Sequence, residues 1–455
     1  MAYYILKSYK LDRKELDLLG LLRRQRNCFF LDSSLNNDSQ LGRYSFFGVD
    51  PFRIFKNTGS DPLPKLRRIF EEYNFSLPKS GLAFTGGAVG YLSYEAGFSI
   101  ERAVSMRKKP GIGIPDCFFA FYNTVIIVDH YKNKLMVFSV GIPEKRYNLQ
   151  AGLAKENFKK TKDMLCRLSE LNKDTKTNSA DKPASSLVSN FNKASYARAV
   201  CRAKQYIKAG DIYQVNLTQQ FQTRTNKDAG YIYQRLRGIN PTYFSAFFDG
   251  GDFQIISSSP ESFLRLKNGL VVTRPMKGTR PRANNPSSDY KLKQQLLKSQ
   301  KDKSELVMIV DLERNDLGRV CEYESIHVPK LRRIEKYNTV YQTTSSICGR
   351  LHKDKDRFDL IRASFPGGSI TGCPKIRAME IIDELEPNRR DAYTGCFGYL
   401  SFSGDMDLSI LIRTILKKGD RVYFGSGGGI VADSHPISEY NESLVKAKAM
   451  MEALV

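Results

Sequence analysis

The sequence contains no tryptophan and only four histidines, and its eight cysteines include no CxxC pair. No two histidines stand at metal-ligand spacing, which argues against zinc and leaves hard cations held by carboxylates as the expected metals. Scattered cysteines in a chain of 455 residues predict reduced, mostly buried thiols and a cytoplasmic protein. No apolar run is long enough to span a membrane, and we recognise no signal-peptide pattern.

Acidic residues are fewer than basic ones: the chain has 71 Lys and Arg but 48 Asp and Glu, which gives a net charge of +23. Such an excess is typical of nucleic-acid binding when it is gathered on one segment. Here the basic residues are spread over the whole chain, and no zinc finger, RRM signature or helix-turn-helix is recognisable. We therefore interpret most of the excess as surface charge, with a smaller part at an anion site, and expect neither nucleic acid nor a membrane as partner.

The pattern of the chain indicates two parts joined by a linker. Residues 1–170 alternate short strands and turns, and residues 171–190 are polar and poor in aromatic side chains. Residues 191–455 form the second part, beginning with a helix that Asn192 can cap. Two further helices are predicted over residues 287–303 and 304–316.

Short strands are predicted throughout both parts of the chain. Phe118 to Val128 and Lys134 to Val140 form a predicted hairpin, and Leu408 to Leu416 is predicted as one strand of a later meander. Gly425 to Ile430 is a glycine-rich segment whose backbone N–H groups could face a carboxylate or phosphate. A turn without a ligand explains the same glycines.

One basic stretch is the first candidate site: Thr273-Arg274-Pro275-Met276-Lys277-Gly278-Thr279-Arg280-Pro281-Arg282. It follows an apolar run, so we predict the end of a strand that turns into a loop. Positive charge from the three arginines should lower the pKa of the Lys277 amine and so favour its nucleophilic form. On composition alone, a solvated basic loop explains the same residues.

Two pairs of acidic residues stand one helical turn apart, Asp302 with Glu305 and Glu439 with Glu442. Two helices that present such pairs could hold Mg²⁺, which shares its remaining positions with water and substrate oxygens. Surface charge balanced by neighbouring lysines is the alternative. Glu261 ends a predicted strand near Lys277 in sequence, and it is either an ion-pair partner or an acid–base group.

Long motifs follow one another along nearly the whole chain. They are Leu31–Ser33 with Gly42–Ser45, Gly86–Tyr91, Gly210–Leu217, Ser259–Glu261, Val310–Arg319, Phe365–Lys375 and Gly427–Pro436. Together these motifs resemble those of the chorismate-utilising enzymes, a family that includes the anthranilate, aminodeoxychorismate, isochorismate and salicylate synthases. The resemblance implies an α/β fold of α+β type, with two antiparallel sheets packed as a sandwich and helices outside.

Three positions discriminate within that family. Anthranilate and isochorismate synthases carry alanine where this chain has Lys277, whereas aminodeoxychorismate synthases carry lysine. Gln214 stands where the isochorismate enzymes have a lysine that activates water. Gln342 replaces the family's usual histidine, and glutamine cannot titrate, which weighs against the proton removal that an anthranilate synthase needs.

The resemblance also implies roles for individual residues. Lys277 would add to C2 of chorismate while Glu261 protonates the departing C4 hydroxyl, and Mg²⁺ on Glu305 and Glu442, with Asp302 and Glu439 near, would hold the ring carboxylate. The implied substrate-binding residues are Gln214, Thr279, Thr371, Tyr399, Arg413, Gly428, Gly429 and Lys446. Ser33 and Tyr44 match the outline of a tryptophan pocket in some relatives, and core packing explains them equally well.

The implied reaction is amination of chorismate at C4, giving 4-amino-4-deoxychorismate for p-aminobenzoate and folate synthesis. No glutaminase triad is recognisable in the chain, so a separate glutamine amidotransferase subunit is expected to supply the ammonia. Two alternatives remain open from the sequence: anthranilate synthase component I, and a non-catalytic subunit that binds chorismate or tryptophan and regulates a partner.

Overall fold

A computed structural model describes residues 2–11, 20, 25–36, 38, 41–73, 75, 81–101, 104–171, 186–337 and 340–455 of the chain. Its helices are α1 (Leu63–Glu72), α2 (Ala96–Ile100), α3 (Tyr147–Leu171), α4 (Lys193–Lys208), α5 (Ala229–Ile239), α6 (Pro286–Lys298), α7 (Gln300–Gly318), α8 (Arg357–Ser364), α9 (Lys375–Leu385) and α10 (Pro436–Leu454). A single 3₁₀ turn within these residues covers Gly368–Ile370.

The strands before residue 250 are β1 (Tyr4–Lys10), β2 (Phe29–Asp32), β3 (Tyr44–Gly48), β4 (Arg53–Asn57), β5 (Gly87–Leu92), β6 (Cys117–Tyr122), β7 (Thr124–Asp129), β8 (Lys134–Val140), β9 (Val188–Ser189), β10 (Gln214–Arg224) and β11 (Phe244–Asp249). Those that follow are β12 (Gln254–Ser259), β13 (Ser262–Lys267), β14 (Leu270–Arg274), β15 (Met276–Pro281), β16 (His327–Lys336), β17 (Val340–Arg350), β18 (Gly372–Cys373), β19 (Cys396–Ser401), β20 (Met406–Ile410), β21 (Thr414–Lys418) and β22 (Arg421–Ile430).

These strands form two antiparallel sheets, which confirms the predicted fold class. The 12-stranded sheet runs β1-β8-β7-β3-β2-β11-β12-β21-β22-β10-β18, with β9 beside β10. The 10-stranded sheet runs β15-β17-β14-β13-β20-β19-β5-β6-β4, with β16 beside β17. Each sheet contains strands from before residue 170 and from after residue 190, so both parts of the chain build both layers.

Aromatic side chains fill the space between the two sheets. The ring of Phe46 on β3 packs against that of Phe84 with centroids 5.7 Å apart, and the rings of Phe118 on β6 and Phe248 on β11 have centroids 5.4 Å apart. Rings are favoured here because they bury large areas with few rotatable bonds, and edge-to-face pairs add to that burial. A second core lies between the 10-stranded sheet and α1, α7, α8 and α9, and a third under α5 and α10.

Helix caps are local signals, and the structure confirms one and corrects another. Asn192 caps α4, accepting the Ser195 N–H at 2.8 Å in a reciprocal capping box. The boundary predicted between residues 303 and 304 is wrong, since α6 ends at Lys298 and Ser299 caps α7 through the Asp302 N–H at 3.2 Å. The serine hydroxyl takes up an otherwise unpaired N–H at the helix start.

Two predicted strands are each divided between the sheets. Residues 118–128 comprise β6 in one sheet and β7 in the other, with a break at Asn123; the predicted pairing of the second piece with β8 is confirmed. Residues 408–416 likewise comprise the end of β20 and the start of β21, separated at Arg413 by a positive φ of 50°. Continuous apolar runs could not reveal these breaks, because each piece is buried on its own sheet.

Most of the predicted linker, residues 172–185, lies outside the described residues. Val188 and Ser189, at its end, form β9. All eight cysteines are free, but only three are buried, so the expectation of mostly buried thiols was too strong. Across the described ranges, no helix is both long and apolar enough to cross a bilayer.

Candidate active site

The basic stretch around Lys277 is a strand rather than the predicted loop. Pro275 separates β14 from β15, and β15 pairs with β17 from Met276 opposite Thr344 to Pro281 opposite Val340. The pairing shifts at Gly278, which has a φ of 75° and packs against Asp302 of α7. A glycine bulge redirects the side chains of its strand. Here it gives the Lys277 side chain a different direction from the side chains that follow it.

The Lys277 amine reaches the 3₁₀ turn, where it donates a hydrogen bond of 3.2 Å to the Ser369 carbonyl oxygen. Burial lowers the pKa of this amine, because the charged form loses its hydration. The carboxylates of Glu305 and Glu261 oppose that shift, and the charge of Lys446 adds to it. The amine is therefore a lysine whose neutral, nucleophilic form is stabilised inside the protein.

The arginines do not cause the lowered pKa of Lys277, so the predicted cause is corrected. Arg274 pairs with Glu335, Arg280 with Asp302 at 2.9 Å and Arg282 with Asp289 at 3.0 Å. Each guanidinium is compensated by its own carboxylate. What the sequence showed as a patch of positive charge is a set of ion pairs around a buried amine.

Glu261 lies buried against the same turn and against the Lys277 strand. Burial raises the pKa of its carboxyl, while a hydrogen bond from the Ser369 side chain, the charge of Lys277 and the Met276 N–H lower it. The side chain of Glu261 is 5% exposed. A buried carboxyl whose pKa is raised is suited to donate a proton to a leaving group.

The acidic residues of α10 lie over the glycine-rich segment, which belongs to β22 and is not a turn. A Cβ at Gly428 would lie 3.4 Å from both Glu442 Oε1 and Lys446 Nζ, and 3.6 Å from Glu439 Oε2. Glycine thus lets these charged groups approach the strand closely. Lys446 pairs with Glu442 at 2.7 Å and donates to the Gly427 carbonyl at 3.0 Å.

Glu305 on α7 faces the same space from the opposite side. Burial raises the pKa of Glu305, with Asp302 and Glu442 adding to the increase and Lys277 opposing it. The pKa of Glu442 is lowered, first by Lys446. Lys277 therefore lies among Glu261, Glu305 and Glu442, so the sequence-predicted catalytic and metal-binding residues converge.

Carboxylate oxygens are the ligands that Mg²⁺ prefers, so Glu305 and Glu442 have the right chemistry for that ion. Within the described ranges, no three acidic, histidine or cysteine side chains converge on one point as a complete protein-built metal site. Asp302 is engaged by Arg280, and Glu439 is buried at 6% exposure. Two carboxylates fit an ion that shares its coordination with water and substrate, which is how Mg²⁺ usually binds.

Gln214 is a completely buried amide beside the glycine strand. Neither its Nε2 nor its Oε1 has a hydrogen-bond partner among the described residues. A Cβ at Gly429 would lie 2.6 Å from Nε2, so glycine is needed where the amide approaches. A buried unpaired amide costs about 1 to 3 kcal/mol, which suggests that a ligand completes it.

The two predicted threonines differ in their surroundings. Thr371 is completely buried, and its hydroxyl donates to the Gly367 carbonyl at 2.9 Å. Thr279 is exposed and accepts a hydrogen bond of 3.3 Å from Gln342 Nε2. Gln342 Oε1 has no partner within the described ranges. The glutamine that replaces the family's histidine thus contacts a residue of the Lys277 strand.

Arg413 and Tyr399, both implied to bind substrate, have different neighbours. The Arg413 guanidinium donates to Asn240 Oδ1 at 3.0 Å, and burial lowers its pKa. Tyr399 stacks on Phe84 at 4.6 Å and lines a cavity between the two sheets. Lys277 does not line that cavity, so the structure does not bring Tyr399 to the amine.

The cavity between the sheets has a volume of about 610 Å³ and also includes Ser33 and Tyr44. The Ser33 hydroxyl donates to the Tyr44 carbonyl at 2.8 Å. Arg265 and Asp407 contribute opposite charges to its wall. The two residues singled out from the sequence therefore line a pocket large enough for an amino acid, separate from Lys277.

Ser369 and Glu313 are the residues that sequence reasoning missed. Ser369 meets both Lys277 and Glu261, and it lies within the segment Phe365–Lys375 whose glycines drew attention without assigning a contact. Glu313 is a buried acid within the motif Val310–Arg319. Its placement four turns into a helix gave no signal, since most such acids are exposed.

Comparison with known proteins agrees with this geometry. The family model described as chorismate binding enzyme matches residues 28–452. Aminodeoxychorismate synthase component 1 of Salmonella typhimurium is 40% identical over 398 residues, covering 87% of this chain and 83% of the relative. Anthranilate synthase component 1 of Acetivibrio thermocellus is 36% identical over 464 residues, covering 96% of this chain and 92% of the relative.

A solved structure of anthranilate synthase component I from Streptococcus pneumoniae superposes with a TM-score of 0.79 at 34% identity, covering 90% of this chain and 92% of that one. Family match, sequence identity and fold agree, and the chain is an enzyme that belongs to the chorismate-binding family.

Proposed function

We propose that this protein aminates chorismate at C4 and forms 4-amino-4-deoxychorismate, a step toward p-aminobenzoate and folate. The observation that carries the proposal is the buried Lys277 amine, which has a lowered pKa and lies beside Glu261. A lysine at this position is the feature by which the aminodeoxychorismate synthases differ from the anthranilate synthases in the resemblance described above. Relatives of both names are similar to this chain, so overall identity does not decide between them.

In the first half of the reaction, neutral Lys277 attacks C2 of the ring and both ring double bonds shift toward C4. The C4–O bond breaks, and Glu261 donates its proton so that the hydroxyl leaves as water. Lys277 and Glu261 form a buried pair, and the pair performs this step when its proton is on Glu261 and the amine is neutral. A covalent bond to lysine divides one difficult displacement into two easier ones.

In the second half, ammonia attacks C4, both double bonds shift back, and the C2–N bond to Lys277 breaks, which releases the neutral amine. The Gln214 amide, which is buried beside Gly429, and Lys446 are placed to hold the substrate. Mg²⁺ on Glu305 and Glu442 would supply a Lewis acid that draws electron density from the ring through its carboxylate. The residues of the chain then orient the ring and keep water away from it.

The identity of the product tests the proposal. Purified protein with chorismate, Mg²⁺ and ammonium salt should yield p-aminobenzoate once a 4-aminodeoxychorismate lyase is added, as measured by chromatography. Anthranilate, formed without the lyase and detected by its fluorescence, would overturn the assignment in favour of anthranilate synthase. No product under any condition would favour a non-catalytic regulatory subunit.

Glu442 and Glu305 are proposed as the Mg²⁺ ligands, and their substitution should weaken the ion's binding. We expect Glu442→Gln and Glu305→Gln each to raise the Mg²⁺ concentration needed for half-maximal binding by roughly 10-fold to 100-fold or more, the loss typical for groups around a bound metal. Titration calorimetry with chorismate present measures this affinity for Mg²⁺. Glu452→Gln, an exposed acid on the same helix as Glu442, is the matched control, and equal Mg²⁺ affinity in all four proteins would contradict the assignment.

We further propose a partner, a separate glutamine amidotransferase subunit that delivers ammonia. Support comes from the resemblance and from relatives named as component 1 of their synthases. Glutamine should then support turnover only when such a subunit is added, whereas glutamine-dependent turnover by this chain alone would contradict the proposal. The eight free cysteines are consistent with a cytoplasmic location for this pair.

The cavity between the sheets is our candidate for tryptophan, in line with the expectation for Ser33 and Tyr44. Its wall combines aromatic rings with Arg265 and Asp407, a combination that suits the ring and the two charged groups of an amino acid. Calorimetric titration with tryptophan tests this. Absence of binding at millimolar concentration would leave the cavity as a packing feature.

A further inference from the structure

Glu313 is a second buried acid close to Glu261, and the reaction described above does not use it. Thr273 Oγ1 lies 2.7 Å from the Phe263 carbonyl oxygen and 2.8 Å from Glu313 Oε2. Thr273 has one hydroxyl hydrogen and a carbonyl only accepts, so when that hydrogen goes to Phe263, Thr273 can only accept from Glu313. The contact with Glu313 is then a hydrogen bond only if Glu313 is the donor, which means that its carboxyl carries a proton.

A small cavity adjoins Glu313. It has a volume of about 10 Å³, near the least that holds one water molecule, and its wall includes Asp316, Ser364 and Gly368. Ser364 Oγ is buried and has no hydrogen-bond partner in the described part of the chain. Phe263, Leu264 and Leu317 complete the wall, and the two acids and the unpaired hydroxyl are the polar partners for one water molecule in this space.

The cavity connects to the outside through an ion pair. Lys375 donates to Asp316 Oδ2 at 2.7 Å and to the Ser364 carbonyl at 2.9 Å. Lys375 and Asp316 also line a broad open groove of about 1010 Å³ between α7 and α9. The ion pair of Lys375 and Asp316 therefore lies between the solvent in that groove and the cavity beside Glu313.

On its other side, Glu313 is linked to the acid of the active site. Phe263, which shares Thr273 with Glu313, lies two residues after Glu261. Gly368 lines the cavity, and the next residue, Ser369, hydrogen bonds to Glu261 through its side chain. The backbone around Phe263 and around Gly368 and Ser369 thus links Glu313 to Glu261.

The proposed reaction needs such a proton supply. Glu261 gives one proton to the departing hydroxyl, which leaves as water. The ammonia that adds next returns no proton to Glu261, because the product amine keeps all its hydrogens as an ammonium ion at neutral pH. Each turnover therefore consumes one proton, and Glu261 must regain it from solvent before the next.

We propose that Glu313 is a positioning residue that returns this proton to Glu261, and that it regains a proton from the open groove through Lys375, Asp316 and the small cavity. The proposal rests on the proposed role of Glu261 as the acid. The proton moves from Glu313 to the Glu261 carboxylate, and a proton from solvent replaces it on Glu313. No other reactant is required.

The charges around Glu313 agree with this role. Burial raises the pKa of Glu313 to about 8, and the neighbouring carboxylates of Glu261 and Asp316 also raise it. The charge of Lys375 opposes this increase. Glu313 is thus protonated at neutral pH and loses its proton only as the pH rises past about 8, at which point the supply should fail.

Glu313→Gln tests the proposal, because glutamine keeps the volume and can still donate to Thr273 but cannot transfer a proton. By rapid quench, we expect the first turnover at the wild-type rate and a steady-state kcat lower by about 10-fold to 100-fold, a modest part of what acid–base groups contribute. In the wild type, the ratio of kcat to the first-turnover rate should fall above pH 8. Glu313→Asp should restore part of kcat.

Asp311→Asn, an exposed acid on the same helix, is the matched control, and thermal unfolding checks that each variant folds. An unchanged ratio of first-turnover rate to kcat in Glu313→Gln would overturn the relay. Loss of both rates together would show a structural role and would equally overturn it. Failure of the proposed function is distinct, since the wild type itself would then form no aminated product.

Discussion

Lys277→Ala is expected to lower kcat for amination by a factor on the order of 10³ or more, because removing a covalent nucleophile costs about 10⁶ in a well-studied protease. The buried amine has a lowered pKa, and alanine offers neither a nucleophile nor a charge. Chorismate binding should be retained, since Glu305, Glu442, Lys446 and Gln214 are unchanged. Steady-state kinetics with ammonium salt measures kcat, and calorimetry measures chorismate binding.

Lys277→Arg separates the covalent role from an electrostatic one. Arginine keeps a positive charge near Glu261 but stays protonated and cannot attack C2. We expect it to be as inactive as Lys277→Ala, whereas substantial activity would indicate that only the charge matters. Lys291→Ala, which removes an exposed lysine of α6, should match the wild type. Wild-type turnover in Lys277→Ala would contradict covalent catalysis outright.

Glu261→Gln is expected to lower kcat by about 10²-fold to 10⁴-fold with little change in KM for chorismate, the effect of losing a general acid. Glutamine keeps the size of the side chain and its contact with Ser369 but cannot protonate the leaving hydroxyl. The acid works in its protonated form, and burial raises its pKa, so wild-type kcat should decline as the pH rises above that value. The pH dependence of kcat measures this.

The matched control for Glu261→Gln is Glu324→Gln, which alters an exposed acid between α7 and β16. Glu261→Gln should lose the part of the pH profile that reflects the carboxyl, whereas the control should keep it. A variant with wild-type kcat and an unchanged pH profile would show that another group protonates the hydroxyl.

The fold class and the convergence of Lys277, Glu261, Glu305 and Glu442 were predicted because the family that the long, ordered motifs resemble implies both. It also predicted the Asn192 cap, since capping depends on residues within one turn. The strand β15 was mistaken for a loop. Its two prolines and Gly278 are typical of turns, and only pairing with β17, some 60 residues later in the chain, makes it a strand.

Interactions between distant segments account for the other differences. The three arginines near Lys277 were interpreted as a positive field, whereas each meets a carboxylate that sequence spacing does not reveal, such as Glu335 for Arg274. Tyr399 was implied as a substrate-binding residue, and the structure places it in the wall of the cavity between the two sheets. Glu313 was overlooked because its burial results from Thr273 and Phe263 on neighbouring strands.

The central claim is that Lys277 becomes bonded to the ring of chorismate, and mass spectrometry tests it most directly. Wild-type protein incubated with chorismate and Mg²⁺ but without ammonia should gain the mass of one chorismate less one water. After proteolysis, that mass should map to the peptide containing Lys277, and Lys277→Ala should not acquire it. Wild-type protein that forms aminated product with ammonia, yet shows no such adduct at any residue when ammonia is withheld, would contradict the account.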